Sequence, residues 1–324
     1  MPYITAFVLA EGSAPHPRSV VESKKTKREP DYVEQSFPKQ RLVAQEGDIF
    51  VKSYPRNVLI AETAKTVDDA FGPEALETRA AMIAECKKAL ALHGGQLRMS
   101  EEYAVAVVED YKGDPDQFIK HADAIARFLK SEHEPLDPDE IEHTLSTRLK
   151  YGKDDLVLVD WDGAFIFDPD GDAESTIELL QLANLQLLQY RILEGILDRR
   201  LRHIQQFARS TPSRWVFWDR DLSKAMKEVI HLRATSIVEF DAANRDVLLI
   251  GDWYSARLFK IVAGKFRLDD WRSTVKEKLE SLEDVYGIIA QNFSISKQYL
   301  AEWLIIAGWF ALLCLEFAAI WLGR

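Results

Sequence analysis

Cysteine is nearly absent: Cys86 and Cys314 are the two in 324 residues, far apart and in unlike surroundings. Two isolated thiols cannot build a disulfide framework or a thiolate metal site, and such sparing use suits a reducing compartment. Positive charge is short as well. The 41 Lys and Arg face 52 Asp and Glu, for a formal net charge of −11. A polyanion needs a positive footprint, so nucleic acid is not an expected partner. No Walker A loop, Gly-rich dinucleotide fingerprint or G-x-S-x-G elbow occurs. The opening residues, MPYITAFVLAEG, lack the basic start and long apolar core of a secretory signal, and Tyr3 to Leu9 reads as a short strand.

What is present is a composition of 47% apolar and 29% charged residues, that of a folded chain. The proline-broken, charged stretch from 17 to 40 reads as a loop, with Lys24, Lys25, Lys27 and Arg28 as a local basic cluster. RLVAQE and IFVKSY then alternate around Gly47-Asp48, a hairpin pattern. Pro73 to Leu92 has helical spacing, YAVAVV from Tyr103 reads as a buried strand, and Asp114 to Lys130 is helical again. After Asp172 the strand signals largely cease. Glu174 to Ala208 reads as one long helix, with further helical regions over 215–240 and 241–264 and another from Leu268.

This last helix carries apolar residues at alternating three- and four-residue intervals: Leu279, Leu282, Tyr286, Ile289, Phe293 and Leu300. The pattern predicts a seam against another helix, in the same chain or a second copy. Beyond it, WLIIAGWFALLCLEFAAIWLG runs from Trp303 to Gly323 with one charge, Glu316. At 1.5 Å per residue that is about 30 Å, the thickness of a bilayer's hydrocarbon core. Trp303 and Trp321 stand near its two ends, where amphipathic rings favour the interface, with Trp309 between them. A single C-terminal transmembrane helix is therefore expected, with Glu302, Trp303, Ile305, Ile306, Trp309, Glu316 and Trp321 as its characteristic residues.

The stretch with the look of catalysis is LVLVDWDGAFIFDP, from Leu156. In dehalogenase-type phosphotransferases, Asp-x-Asp after an apolar strand supplies a nucleophile and an acid/base; Asp160 and Asp162 would be that magnesium-dependent pair. The remaining parts are missing. Ala164 stands where a Thr is usual, and in LLIGDWYSA, from Leu248, Ala256 takes the place of the second distal carboxylate. The alternative is a hairpin, with Asp162-Gly163 as a type I′ turn between strands Leu156–Trp161 and Ala164–Phe167. On this reading no catalytic residue is assigned. His133 and His143 lie among six carboxylates between Glu132 and His143, but match no closed metal-ligand spacing. Neither a metal nor a cofactor is expected.

KLESLEDVYGIIAQNFSISKQYLAEWLIIAGWFALLCLEF, through Lys278-Leu279, Glu302-Trp303, Ile305-Ile306 and Glu316, resembles the end of the "required for meiotic nuclear division" family. That group has bacterial and mitochondrial members. The resemblance implies an α/β part, then helices, then one terminal anchor. It also implies large assemblies at a membrane, with eukaryotic members supporting mitochondrial translation. It carries no catalytic residues.

The sequence thus predicts an α+β protein in three parts: a mixed α/β domain over 1–170, a helical stalk over 171–299 and a membrane anchor over 300–324. The expected role is a non-enzymatic scaffold or tether, working as a homo-oligomer on the cytosolic or matrix face of a bilayer. A phosphotransferase using Asp160 and Asp162, or an oligomeric ion pore, are the alternatives. The bilayer and further copies of the chain are the expected partners; no particular protein partner is indicated.

Overall fold

The computed structural model describes residues 1–13, 40–55, 57–210 and 253–322, with the single positions 227, 231 and 234. For 203–210, 286–301, 303 and 316–322 the backbone alone is described. The expected loop over 17–40 and helix over 215–240 therefore fall outside it almost entirely.

The fold is α+β, with a sheet towards the N-terminus and helices towards the C-terminus. Eight strands build the sheet: β1 (Tyr3–Gly12), β2 (Arg41–Glu46), β3 (Ile49–Tyr54), β4 (Val58–Thr66), β5 (Gly95–Val108), β6 (Arg148–Leu149), β7 (Leu156–Val159) and β8 (Gly163–Phe167). Their spatial order is β2-β3-β4-β1-β5-β8-β7-β6. All neighbours are antiparallel except β5 and β8, which run parallel with Ala104 opposite Gly163. The β2–β3 hairpin turns at Gly47, whose φ of +62° only glycine adopts without cost, as the sequence pattern predicts.

Helix α1 (Pro73–Leu92) begins with proline at its first turn, where the missing N–H costs nothing, and Glu74 complements the helix dipole. Its buried residues, among them Ala75, Met82, Ile83, Cys86 and Leu90, recur at helical spacing and join Ala6, Val8, Ala104 and Phe165 in the core. A 3₁₀ turn over Pro115–His121 precedes α2 (Ala122–Lys130), so the helical stretch expected from Asp114 starts as a tighter coil. There Asp114 accepts from the Asp116 N–H at 2.9 Å. Helix α3 (Pro138–Ser146) is capped in the same way by Asp137.

The opposite face carries Phe7, Tyr103, Glu62 and Glu101, and α4 (Glu174–Ser210) crosses it. Gln181 of α4 donates to Glu62 at 2.7 Å, and Arg191 is ion-paired with Glu101. Every residue from Leu179 to Leu188 is buried, so this part of α4 has no solvent face. Helix α5 (Trp253–Lys265) lies along β7, and α6 (Leu268–Leu322) follows after a two-residue corner.

The chain divides into two compact units: 1–193 with 239–273, and 194–238 with 274–324. The first takes in more than the expected 1–170, because the first half of α4 and all of α5 cover the sheet. In the second, Leu197, Val275, Leu279 and Leu282 are buried, and the Lys278 ammonium pairs with Glu194 and, at 2.6 Å, with Asp198. Burial outright would depress the Lys278 ammonium, but the hydrogen bonds to Asp198 and Glu194 outweigh it and hold it raised. Of the expected seam, Leu279 and Leu282 are buried; the side chains of Tyr286, Ile289, Phe293 and Leu300 lie outside the described residues. Among the described residues, no helix is long and apolar enough to cross a membrane.

Candidate functional site

The Asp-Trp-Asp-Gly turn sits at the end of β7, beside the parallel β5–β8 pair. Val159 pairs with Ala164, and the Asp160 N–H donates to the Gly163 carbonyl at 2.9 Å. The two central residues are therefore Trp161 and Asp162. This corrects the type I′ reading: neither has positive φ, and Gly163 is the first residue of β8. Gly163 is required for a different reason. A Cβ there would meet the Ala104 carbonyl oxygen at 2.9 Å, inside contact distance, because β5 passes so close.

Tyr103 fixes the turn from beneath. Its hydroxyl, fully buried, donates to the carbonyls of Asp160 at 3.0 Å and Gly163 at 2.8 Å. Burial raises this phenol well above its ordinary range, so it is a permanent donor. From α1, Arg79 donates to the Asp162 carbonyl at 2.7 Å and stacks over Phe128 at 5.6 Å. Burial lowers the Arg79 guanidinium, opposed by the Asp162 charge.

Asp160 is 3% exposed, and lysines from two other elements approach its carboxylate. Lys265, at the end of α5, stands 3.1 Å from Oδ1, which also accepts the Trp161 N–H at 2.7 Å. Lys130, at the end of α2, stands 3.4 Å from Oδ2 and 2.7 Å from Glu140. The Oδ2 contact is an ion pair without hydrogen-bond geometry, so that oxygen is buried and incompletely satisfied. For Lys130, burial acts to lower the ammonium, but the Glu140 hydrogen bond and the Asp160 charge outweigh it, and the net shift is upward.

A carboxylate so placed has almost no open surface. What Asp160 can do is hold two distant lysines against one turn, since breaking a buried pair leaves an uncompensated charge. Asp162, partly open, is the more accessible of the two, and burial raises its carboxyl against the opposing pull of Arg79. The two carboxylates are therefore in different environments with different partners. Lys130, Lys265, Tyr103 and Arg79 have no motif; the one signal was a charged residue ending the apolar run Leu156–Val159, which a buried strand tolerates only with a counter-ion. Among the described residues no group of three His, Cys, Asp or Glu is placed to hold a metal ion.

The residues singled out in the terminal run are of a different kind. Glu302, Ile305, Ile306 and Trp309 are exposed on α6; Trp303, Glu316 and Trp321 lie where side chains are not described. Leu304, Ile305, Ile306, Trp309, Phe310, Leu312, Leu313 and Leu315 are all between 52% and 70% exposed. Three of them are consecutive, so at 100° per residue they cover more than one face of the helix.

The fold and site define an α+β protein with a charge-held turn and an apolar helix extending towards its C-terminus. Residues 23–174 match the family model described as "Uncharacterized protein MJ0711, N-terminal domain". The chain is also 26% identical over 273 residues to the Uncharacterized protein MJ0711 of Methanocaldococcus jannaschii, a likeness covering 83% of this chain and 81% of that one. No solved structure matches. The family match takes in the Asp160 turn but neither β1, at the centre of the sheet, nor α5, which supplies Lys265.

Proposed function

We propose that the protein is a membrane-anchored scaffold or tether, non-enzymatic, held to a bilayer by a single helix over residues 303–323 and working as a homo-oligomer on the cytosolic or matrix face. The observation that carries this reading is the run of eight large apolar side chains exposed between Leu304 and Leu315. Fully burying such a side chain is worth about 1.5–3 kcal/mol, so the run forgoes on the order of 10 kcal/mol in water. That is comparable with the whole stability of a typical domain. A helix lying in a protein groove shows one apolar stripe, whereas this one is apolar on several sides, which favours lipid. The backbone of α6 continues as helix to Leu322, and the stretch from Trp303 to Leu315 contains no charged residue. The likeness of 278–316 to the "required for meiotic nuclear division" family points the same way.

Flotation of the full-length chain with liposomes, followed by alkaline extraction, tests it. The expected result is that the protein floats and resists extraction, whereas a chain ending after Glu302 stays at the bottom. Equal behaviour of the two chains in the soluble fraction would overturn the anchor. Cross-linking in the same liposomes tests the assembly, and a monomer alone would remove the homo-oligomer.

A further inference from the structure

The corner between α5 and α6 is built differently from the rest of the sheet unit. Phe266 is fully buried, edge-on to Tyr103 at 5.8 Å and to Trp161 at 5.7 Å. Lys265, just before it, reaches Asp160 at 3.1 Å and Thr147 at 3.5 Å. Arg267, just after it, has φ +51°, the left-handed region that a residue with a Cβ enters only at a cost. Its N–H donates to the Gly264 carbonyl at 3.1 Å, and its carbonyl accepts the Trp271 N–H at 3.1 Å to open α6.

We infer that this corner, Lys265 to Leu268, is a releasable clasp, that Asp160 is its receptor, and that it governs whether the first turn of α6 is docked on the sheet. Three features argue for release without wider unfolding. Asp160 keeps Lys130 when Lys265 leaves, and Lys130 is itself held by Glu140, so the buried carboxylate is never without a counter-ion. The left-handed strain at Arg267 is relieved on opening, which lowers the cost of leaving. Tyr103 retains both its carbonyl acceptors, so the turn beneath keeps its shape. The closed state is held by Phe266, by Leu258, Phe259 and Val262 on the inner side of α5, and by the Lys265 ion pair. Asp160 is then a positioning residue: its charge places the corner and the first turn of α6. The clasp lies within the first compact unit and holds whether or not α6 ends in a bilayer.

Hydrogen exchange of the full-length protein tests it, comparing amides in 253–271 with those in β1, β5 and β8. Local opening produces exchange confined to the element that opens. In wild type, 253–271 should exchange at least tenfold faster than the central strands. Lys265→Met, which keeps the aliphatic stem, should speed 253–271 about tenfold further and leave the strands unchanged. Asp160→Asn, which removes the charge and keeps the shape but also frees Lys130, should speed 253–271 by a factor about tenfold larger than that for the strands, and added salt should reduce the difference between wild type and both variants. If 253–271 exchanges at the rate of β5 in wild type, or either variant accelerates all segments by the same factor, the corner is a permanent part of the core and the clasp is refuted.

Discussion

Asp160 is a charge at 3% exposure inside the sheet unit, whereas Trp309 is an apolar ring at 69% exposure on a helix. Each is the reverse of what water favours, and the two are compensated in different ways. The compensation of Asp160 is internal and visible: two ammonium groups, a backbone N–H and a tyrosine that holds its turn. Trp309 and its neighbours have no comparable cover among the described residues, and on the proposed reading theirs is the bilayer. A buried charge with its partners present is settled within the fold; for the exposed apolar run the partner is the proposal.

The comparison can be broken first at Asp160. Asp160→Ala leaves Lys130 and Lys265 facing each other without their shared anion. Both lysines are partly open to water, so the loss is discounted from the fully buried case to about 2–4 kcal/mol. Urea unfolding of the detergent-solubilised chain should show it. A loss below about 0.5 kcal/mol, the level of an ordinary surface change, would mean that Asp160 is not a staple.

Tyr103→Phe is a gentler cut at the same place. It removes one hydroxyl shared by two carbonyls and leaves the Asp160 carbonyl buried, for an expected loss of about 1–2 kcal/mol by the same unfolding measurement. The Gly163 carbonyl keeps the Asp160 N–H, which limits the damage. An unchanged midpoint would show that the strands alone define the turn.

Asp162 gives the smallest effect and a pH dependence of known sign. Burial holds its carboxyl above the ordinary carboxylate range in the folded chain. Between the unfolded and folded titrations the native state binds more protons, so this group lowers stability as pH rises. Asp162→Asn should therefore gain on wild type between about pH 4 and pH 7, and the gain should vanish in more acidic solution. A difference that is flat with pH would contradict the assigned environment.

How far the sequence foretold these two regions differs for physical reasons. Local patterns were legible: the Gly47 hairpin, the span of α1 and the start of α6 each follow from turn chemistry or helical spacing within a few residues. The Asp160 turn was half legible. Its place between two strands follows from the apolar runs, but its register does not, because Gly163 serves the close approach of β5 and not a positive φ. That requirement comes from the parallel β5–β8 pairing, which no local pattern encodes. Lys130 and Lys265 were illegible for the same reason, since they meet Asp160 only through the packing of α2 and α5. The all-round burial of Leu179 to Leu188 did leave a trace, the absence of any charge from Leu179 to Tyr190, which an amphipathic reading of α4 overlooks. For the terminal helix the expectation of an anchor rests on composition alone, because a bilayer selects for hydrophobicity and not for pairing.

The central claim, that the exposed run is covered by lipid, has a built-in reporter. Cys86 is buried, and burial pushes its thiol up to about 12, so it is unreactive in the folded chain. Cys314 is exposed near the C-terminal end of the run, midway along the proposed span 303–323. A hydrophilic maleimide reacts with thiolate in water, so its rate at Cys314 in liposomes reads the medium around the helix. The reference is a cysteine introduced by Tyr151→Cys, at a position 69% exposed on the sheet unit. With the protein in sealed liposomes and reagent on both sides, Cys314 should label at least a hundredfold more slowly than the reference and become reactive only after denaturation in detergent. Equal labelling rates at the two positions would place the helix in water and contradict the anchor.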